Sequence, residues 1–94
     1  MTNVVIDKDA LGWEDEHKED LRTYSRVIPV SKHPDLQQRI SDQTIATYCI
    51  ENHCDLITAD TEFYMHAFDA GAETLRIKRL GERRGKYIYL IQFQ

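Results

Sequence analysis

Two short apolar segments, each leading into an aspartate, dominate the hydrophobic pattern of the chain. Residues 3–6 (NVVI) precede Asp7, and residues 56–58 (LIT) are followed after one residue by Asp60. Short apolar runs bounded by polar residues are typical of buried strands. If the two strands are parallel neighbours in one sheet, Asp7 and Asp60 lie at the same edge. This is the edge at which ligands usually bind in α/β proteins.

The region before the second of these strands has the pattern of a helix. Apolar residues between positions 45 and 50 recur at the spacing of one helical face, so residues 42–53 are predicted to form a helix packed over the sheet. Ser41 is a suitable N-cap, and the charge of Asp42 favours the positive end of the helix dipole. At that helix end, Asp42 is placed to join the two aspartates at the sheet edge.

The remaining elements follow from the same kinds of pattern. Further helices are predicted at 14–24 and 61–70, and further strands at 26–30, 74–78 and 87–93. A glycine-containing loop at 81–85 separates the last two strands and predicts a hairpin. We therefore predict a single α/β domain over residues 1–94, with three layers, a mainly parallel sheet and a C-terminal β-hairpin.

Charge is unevenly distributed along this chain of 94 residues, whose formal net charge is −4. Residues 7–20 are strongly acidic, whereas the end of the chain carries a basic strip. Acids that hold a cation and bases that hold a phosphate backbone are what a metal-dependent phosphodiesterase needs. A solvated, charged hairpin explains the same strip without any ligand. The basic strip consists of Arg76, Lys78, Arg79, Arg83, Arg84 and Lys86.

The chain shows no signal for a membrane or for secretion. It has no apolar run long enough to span a bilayer, and its start lacks the layout of a signal peptide. We therefore expect a cytoplasmic protein in which Cys49 and Cys54 are reduced thiols. A zinc site at Cys49, His53 and Cys54 is an alternative, but these residues lack the usual paired spacing and a clear fourth ligand.

The three aspartates predict a cation. Neighbouring carboxylates repel one another, and each additional charge makes the next harder to ionise unless something neutralises it. Mg²⁺ and Mn²⁺ are hard cations that prefer oxygen ligands, so one of them is the expected cofactor.

Three segments of the chain resemble the PIN-like domain family, especially its short branch. They are VVIDKDAL (4–11), SDQTIATYCIENHCD (41–55) and LITADTEF (56–63). The resemblance implies a Rossmann-like parallel sheet, with Asp7, Asp42 and Asp60 as metal-binding acids and Glu62 as an outer member. It also implies Mg²⁺- or Mn²⁺-dependent cleavage of RNA, and a toxin role with an antitoxin partner. Longer PIN domains carry a further acid that no motif fixes here.

Two functions agree with these patterns. The first is a metal-dependent endoribonuclease, in which the metal activates water and the basic strip positions the RNA. The second is a PIN-like binding or regulatory module that keeps the fold without efficient catalysis. The Asp7-Lys8-Asp9 sequence also resembles the DxD opening of haloacid-dehalogenase phosphatases, a family that needs a longer chain and a downstream lysine.

The last predicted strand suggests association with another chain. Alternate residues of this strand are apolar, and a small chain has few helices to cover them, so we expect a homodimer or a partner protein. These residues are Tyr87, Tyr89, Ile91 and Phe93.

Overall fold

The computed structural model describes residues 2–32, 42–60 and 75–93, and the side chain of Asp42 lies outside this description. The described strands are β1 (Asn3–Ile6), β2 (Val27–Pro29), β3 (Cys54–Thr58), β4 (Leu75–Arg83) and β5 (Lys86–Phe93). The described helices are α1 (Trp13–Glu16) and α2 (Asp42–Glu51), together with short 3₁₀ helices at Lys8–Ala10, Lys18–Leu21 and Val30–Lys32. The predicted helix at 61–70 falls outside the described residues.

The five strands form one mixed sheet in the order β2-β1-β3-β5-β4. Strand β1 pairs in parallel with β2 and β3, whereas β5 pairs antiparallel with β3 and β4. The predicted parallel pairing of the strands before Asp7 and Asp60 and the predicted C-terminal hairpin are both confirmed. The predicted three-layer, Rossmann-like fold with a mainly parallel sheet is wrong, because half of these pairings are antiparallel and the described residues form only two α-helices.

The hairpin turn explains why β4 and β5 are antiparallel. Arg84 and Gly85 are the two residues between β4 and β5, and both have positive φ, 52° and 78°. Two such residues form the type I′ turn, whose twist matches the flanking strands and returns the chain directly alongside itself. A parallel connection would need a crossover of a dozen residues or more. Strands were predicted at 74–78 and 87–93, with a loop at 81–85 between them. In the structure β4 continues to Arg83, so the loop is shorter than predicted.

Each face of the sheet carries its own core. On the first face, Val5, Leu56 and Ile91 pack with the apolar side of α2, as the helical periodicity predicted. On the second face, Ile6 and Ile57 belong to another cluster, which the segment between β1 and β2 covers. The members that this segment contributes to the second cluster are Ala10, Trp13 and Leu21. The period-two alternation of β1 and β3 therefore supplies both cores at once.

The helix predicted at 14–24 is replaced by the four residues of α1 and a 3₁₀ helix. Gly12, at the N-terminus of α1, has φ 96°, and His17 leaves the helical conformation at φ −129°. The His17 ring stacks on Trp13 at 4.2 Å between centroids, and its Nδ1 lies 2.9 Å from the Trp13 carbonyl oxygen. The helix ends here because its apolar side is too short to bury a longer segment.

The edges of the sheet are β2 and β4. Pro29 lies in β2, and proline is tolerated in such an edge strand because it has no N–H to donate to the ladder. The apolar face predicted on β5 is partly covered, since Ile91 is buried and Phe93 packs against the first core cluster. Tyr87 is 49% exposed. Among the described helices, none is long and apolar enough to cross a membrane.

Candidate functional site at the carboxyl edge of the parallel strands

Strands β1 and β3 end side by side. Ile6 pairs with Ile57, and the backbone N–H of Asp7 donates to the Ile57 carbonyl at 2.9 Å, so the ladder continues one step beyond β1. This register places Asp7 next to Thr58. Asp7 is 4% exposed, and Thr58 is completely buried. The sequence correctly predicted that the residues after the two strands meet at one edge.

The hydroxyl of Thr58 is at the centre of this edge. Its Oγ1 lies 2.9 Å from Asp7 Oδ2 and 3.2 Å from Asp9 Oδ1. It also accepts a hydrogen bond from the backbone N–H of Asp60 at 3.0 Å. A hydroxyl has a single proton to donate, so Thr58 satisfies only one of the two carboxylates at a time. Two carboxylates thus converge on one neutral donor.

Asp9 reaches this position because the chain turns tightly after β1. Asp7 Oδ1 accepts from the backbone N–H of Lys8 at 2.8 Å and caps the 3₁₀ helix Lys8–Ala10. The turn brings the Asp9 carboxylate onto the end of β3, where Oδ1 accepts from the Ala59 N–H at 3.0 Å. Asp9 was not predicted to be a metal-binding acid, because the two-residue spacing of Asp7 and Asp9 was noted only as a resemblance to the DxD opening of haloacid-dehalogenase phosphatases.

A shallow cleft of about 460 Å³ opens beside these acids. Asp9 and Asp60 line one side, and Lys86, Tyr87 and Tyr89 of β5 line the other. Tyr89 is the cross-strand partner of Thr58, which brings the start of β5 to the carboxyl edge of β3. The cleft therefore combines carboxylates, a cation and two aromatic rings.

The predicted acids are only partly brought together. The backbone of Asp60 is anchored to Thr58, whereas the side chain of Asp42 and all of Glu62 lie outside the described residues. In the part of the chain that is described, no group of three His, Cys, Asp or Glu side chains is arranged to hold a metal. The described residues that offer carboxylate oxygens at one point are Asp7 and Asp9.

The alternative zinc site at Cys49, His53 and Cys54 is absent from this described region. Cys49 and Cys54 are buried free cysteines, as expected for reduced thiols. Burial raises the pKa of the Cys49 thiol, and neighbouring Cys54 and Asp55 raise it further. Burial and Asp55 also raise the pKa of Cys54. Both changes favour the neutral thiol, whereas zinc binds the thiolate.

The basic strip divides into exposed cations and one cation that supports the fold. Arg83 Nε lies 3.2 Å from Glu16 Oε1, and its guanidinium also donates to the Leu11 carbonyl at 3.3 Å. The Arg79 guanidinium lies 4.9 Å from the centre of the Tyr87 ring. The exposed members of the strip are Arg76, Lys78, Arg79, Arg84 and Lys86. Of these, Lys86 also lines the acidic cleft.

No protein-family model matches the chain, and neither a curated protein nor a solved structure is significantly similar to it. The resemblance to PIN-like domains therefore stays a prediction made from three sequence segments.

Proposed function

We propose that the protein is a Mg²⁺- or Mn²⁺-dependent phosphodiesterase that cleaves RNA, with Asp7 and Asp9 as its described metal-binding acids. The observation that carries this proposal is the convergence of the two carboxylates on the Thr58 hydroxyl. They converge at the carboxyl edge of two parallel strands, where α/β proteins bind ligands. The toxin role and the antitoxin partner belong to the same proposal.

The donor chemistry of the acid pair fits such a cation. Mg²⁺ is usually held by one or two carboxylates together with waters and substrate phosphates, so a complete cage of protein ligands is not required. Asp7 and Asp9 provide hard oxygen ligands, and an oxygen that accepts one hydrogen bond still has a second lone pair. When bound, the cation would activate water and offset charge on the phosphate.

The chain's own residues would position the acids and the RNA. The Thr58 hydroxyl and the Ala59 N–H orient the Asp9 carboxylate toward Asp7. Lys86, across the cleft from the acids, attracts the phosphate backbone. Tyr87 and Tyr89 offer ring surfaces of the kind on which single-stranded bases stack. These features favour a single-stranded substrate.

A specific observation supports the second candidate, a PIN-like binding or regulatory module without efficient catalysis. Both oxygens of Asp7 already accept hydrogen bonds, one from the Lys8 N–H and one from Thr58. Asp7 therefore has a complete structural role as the cap of a 3₁₀ helix. In this second candidate, the two carboxylates that converge on Thr58 hold the edge together, and the edge binds RNA or a protein without cleaving it.

The two candidates differ in what Asp9→Asn should do. Asparagine keeps the size of the side chain and an oxygen that accepts from the Ala59 N–H, but it removes the charge. If the protein is a nuclease, cleavage of single-stranded RNA requires Mg²⁺ or Mn²⁺, stops with a chelator, and falls by orders of magnitude in Asp9→Asn. The matched control is Asp15→Asn, an exposed acid of the same segment, which should cleave like the wild type.

A melting experiment tests the metal separately from cleavage. Mn²⁺ should raise the melting temperature of the wild type and of Asp15→Asn, and raise that of Asp9→Asn less, because a ligand of the folded state stabilises it in proportion to binding. Protein that binds RNA, leaves it uncut with Mn²⁺ present and behaves identically in all three forms would establish the binding module instead.

A further inference from the structure

The hairpin of β4 and β5 presents a cluster of planar side chains beside the acidic cleft. Tyr87 and Tyr89 are two positions apart on β5, and both line the cleft. Their ring centroids are 6.5 Å apart, and the rings meet edge to face at 67°. The Arg79 guanidinium, from the neighbouring strand, lies 4.9 Å from the centre of the Tyr87 ring. We call these three side chains the Tyr87 cluster.

The register of the sheet brings the Tyr87 cluster next to the acid pair. Tyr89 is the cross-strand partner of both Thr58 on β3 and Arg79 on β4. Cross-strand partners lie on the same face of a sheet, and neighbouring strands are about 4.8 Å apart. The cluster therefore begins one strand away from the hydroxyl that both carboxylates contact. A nucleotide with its phosphate at the acids has its base within reach of the rings.

The Tyr87 ring is exposed but held in place. Tyr87 is 49% exposed, more than any other large hydrophobic residue in the described part of the chain, and it belongs to neither core cluster. An exposed aromatic side chain of a solvated hairpin is ordinarily free to change its rotamer. Here the guanidinium over the ring and the Tyr89 ring beside it restrict that freedom. A ring that is already ordered loses less entropy when a planar ligand stacks on it.

The charges around the cluster do not select an anion. Arg79 and Lys86 are positive, whereas Glu82 is the cross-strand partner of Tyr87, and two aspartates line the same cleft. The nearby cations are thus matched by carboxylates. What the cluster offers is a planar apolar surface. Every nucleobase has a planar face that stacks on such a ring.

We infer that Tyr87 is the platform on which one unpaired base of the RNA stacks, and that Arg79 is the positioning residue that holds its ring. The inference rests on the proposed function for its ligand, RNA, but not on catalysis. A base within a duplex is already paired and stacked, so it reaches the ring only by leaving the helix. Purines have larger faces than pyrimidines and stack more strongly, so the site prefers an unpaired purine beside the phosphate at the acids.

Binding of short RNA in the presence of a chelator tests the platform without cleavage. The probe is a labelled oligouridylate with one central adenosine, followed by fluorescence anisotropy. It should bind saturably, and more tightly than the strand that contains only uridine. An abasic strand of the same length has the same charge but no bases, and it should bind about tenfold more weakly. The probe in a duplex with its complement should also bind about tenfold more weakly.

Variants of the cluster separate stacking from attraction by charge. Tyr87→Leu should weaken probe binding about tenfold and leave the abasic strand unchanged, whereas Tyr87→Phe should bind like the wild type. Arg79→Met should lower the ratio of probe affinity to abasic-strand affinity, because the ring is no longer held. The matched control is Arg76→Met, an exposed cation of the same strand outside the cluster, which should keep the wild-type ratio.

Failure of the platform and failure of the nuclease give different results. The inference is overturned if the probe does not bind saturably, if probe and abasic strand bind equally, or if Tyr87→Leu keeps the wild-type ratio, whether or not the protein cleaves RNA. Binding that depends on the base and on Tyr87, by a protein that leaves RNA uncut with Mn²⁺, refutes catalysis and supports the platform.

Discussion

Thr58→Val tests whether the candidate site is organised around one buried hydroxyl. Valine has nearly the same shape as threonine, so the packing of β3 is retained while Oγ1 is lost. The loss removes the one donor that Asp7 Oδ2 and Asp9 Oδ1 share and the acceptor of the Asp60 N–H. Because Thr58 is completely buried, water cannot take the place of its hydroxyl without rearrangement of the edge.

The free energy of unfolding that Thr58→Val loses depends on the hydrogen bonds of this hydroxyl. A hydrogen bond to a charged acceptor contributes about 1.5–3 kcal/mol to stability. Asp60 is half-buried, so its N–H recovers part of its loss from solvent. We expect Thr58→Val to lower the free energy of unfolding by about 2–4 kcal/mol. Thr58→Ser keeps the hydroxyl and removes one buried methyl group, which costs about 1 kcal/mol.

Chemical denaturation of the wild type and the two variants measures this difference. Valine should be the more destabilising change, although it preserves the larger apolar volume. Adding Mn²⁺ should stabilise Thr58→Val at least as much as the wild type, since both carboxylates remain and have lost the hydroxyl between them. If Thr58→Val is as stable as the wild type, or more stable than Thr58→Ser, the hydroxyl does not hold the two aspartates together.

Two further substitutions test other parts of the structure. Gly81 does not have positive φ, and a Cβ there would lie 3.7 Å from Trp13 Nε1, so Gly81→Ala should stabilise by about 0.4–1 kcal/mol. Gly81→Ser should have a free energy of unfolding about 1 kcal/mol higher than Gly81→Ala, because the serine hydroxyl gives the Trp13 indole N–H an acceptor. Equal values in chemical denaturation would show that the indole N–H gains nothing from an acceptor there. Arg84 has φ 52° in the type I′ turn, so Arg84→Asn should raise the free energy of unfolding by up to about 1 kcal/mol. Gly85→Ala, at φ 78°, should lower it, and a thermal melt that ranks the two the other way would contradict the turn assignment.

The sequence predicted the parts of the fold that follow from local periodicity. The apolar runs of β1 and β3 fixed their burial, and the residues that end them meet at one edge as expected. The spacing of apolar residues in α2 correctly identified its buried face. These patterns predict burial because the period of a strand or a helix fixes which face each apolar residue lies on.

The composition of the site depended on contacts that no local pattern encodes. Asp9 and Thr58 are 49 positions apart, and their meeting depends on the exact turn that follows β1. A strand pattern indicates where Asp7 emerges, but it does not indicate how far the next turn carries Asp9. The hairpin of β4 and β5 was predicted from the loop between them, whereas apolar spacing alone does not indicate that β5 pairs antiparallel with β3.

Arg83 shows why a run of charge along a strand need not act as one surface. Its guanidinium pairs with Glu16 and donates to the Leu11 carbonyl, so it fastens the end of β4 to the segment after β1. Gly12 has φ 96°, which favours glycine, and a Cβ there would displace the Arg83 guanidinium from its position 2.6 Å away. The segment that Arg83 fastens carries both Asp9 and Trp13. The basic strip therefore has two roles, since Arg83 holds the segment that carries Asp9 while Lys86 lines the acidic cleft.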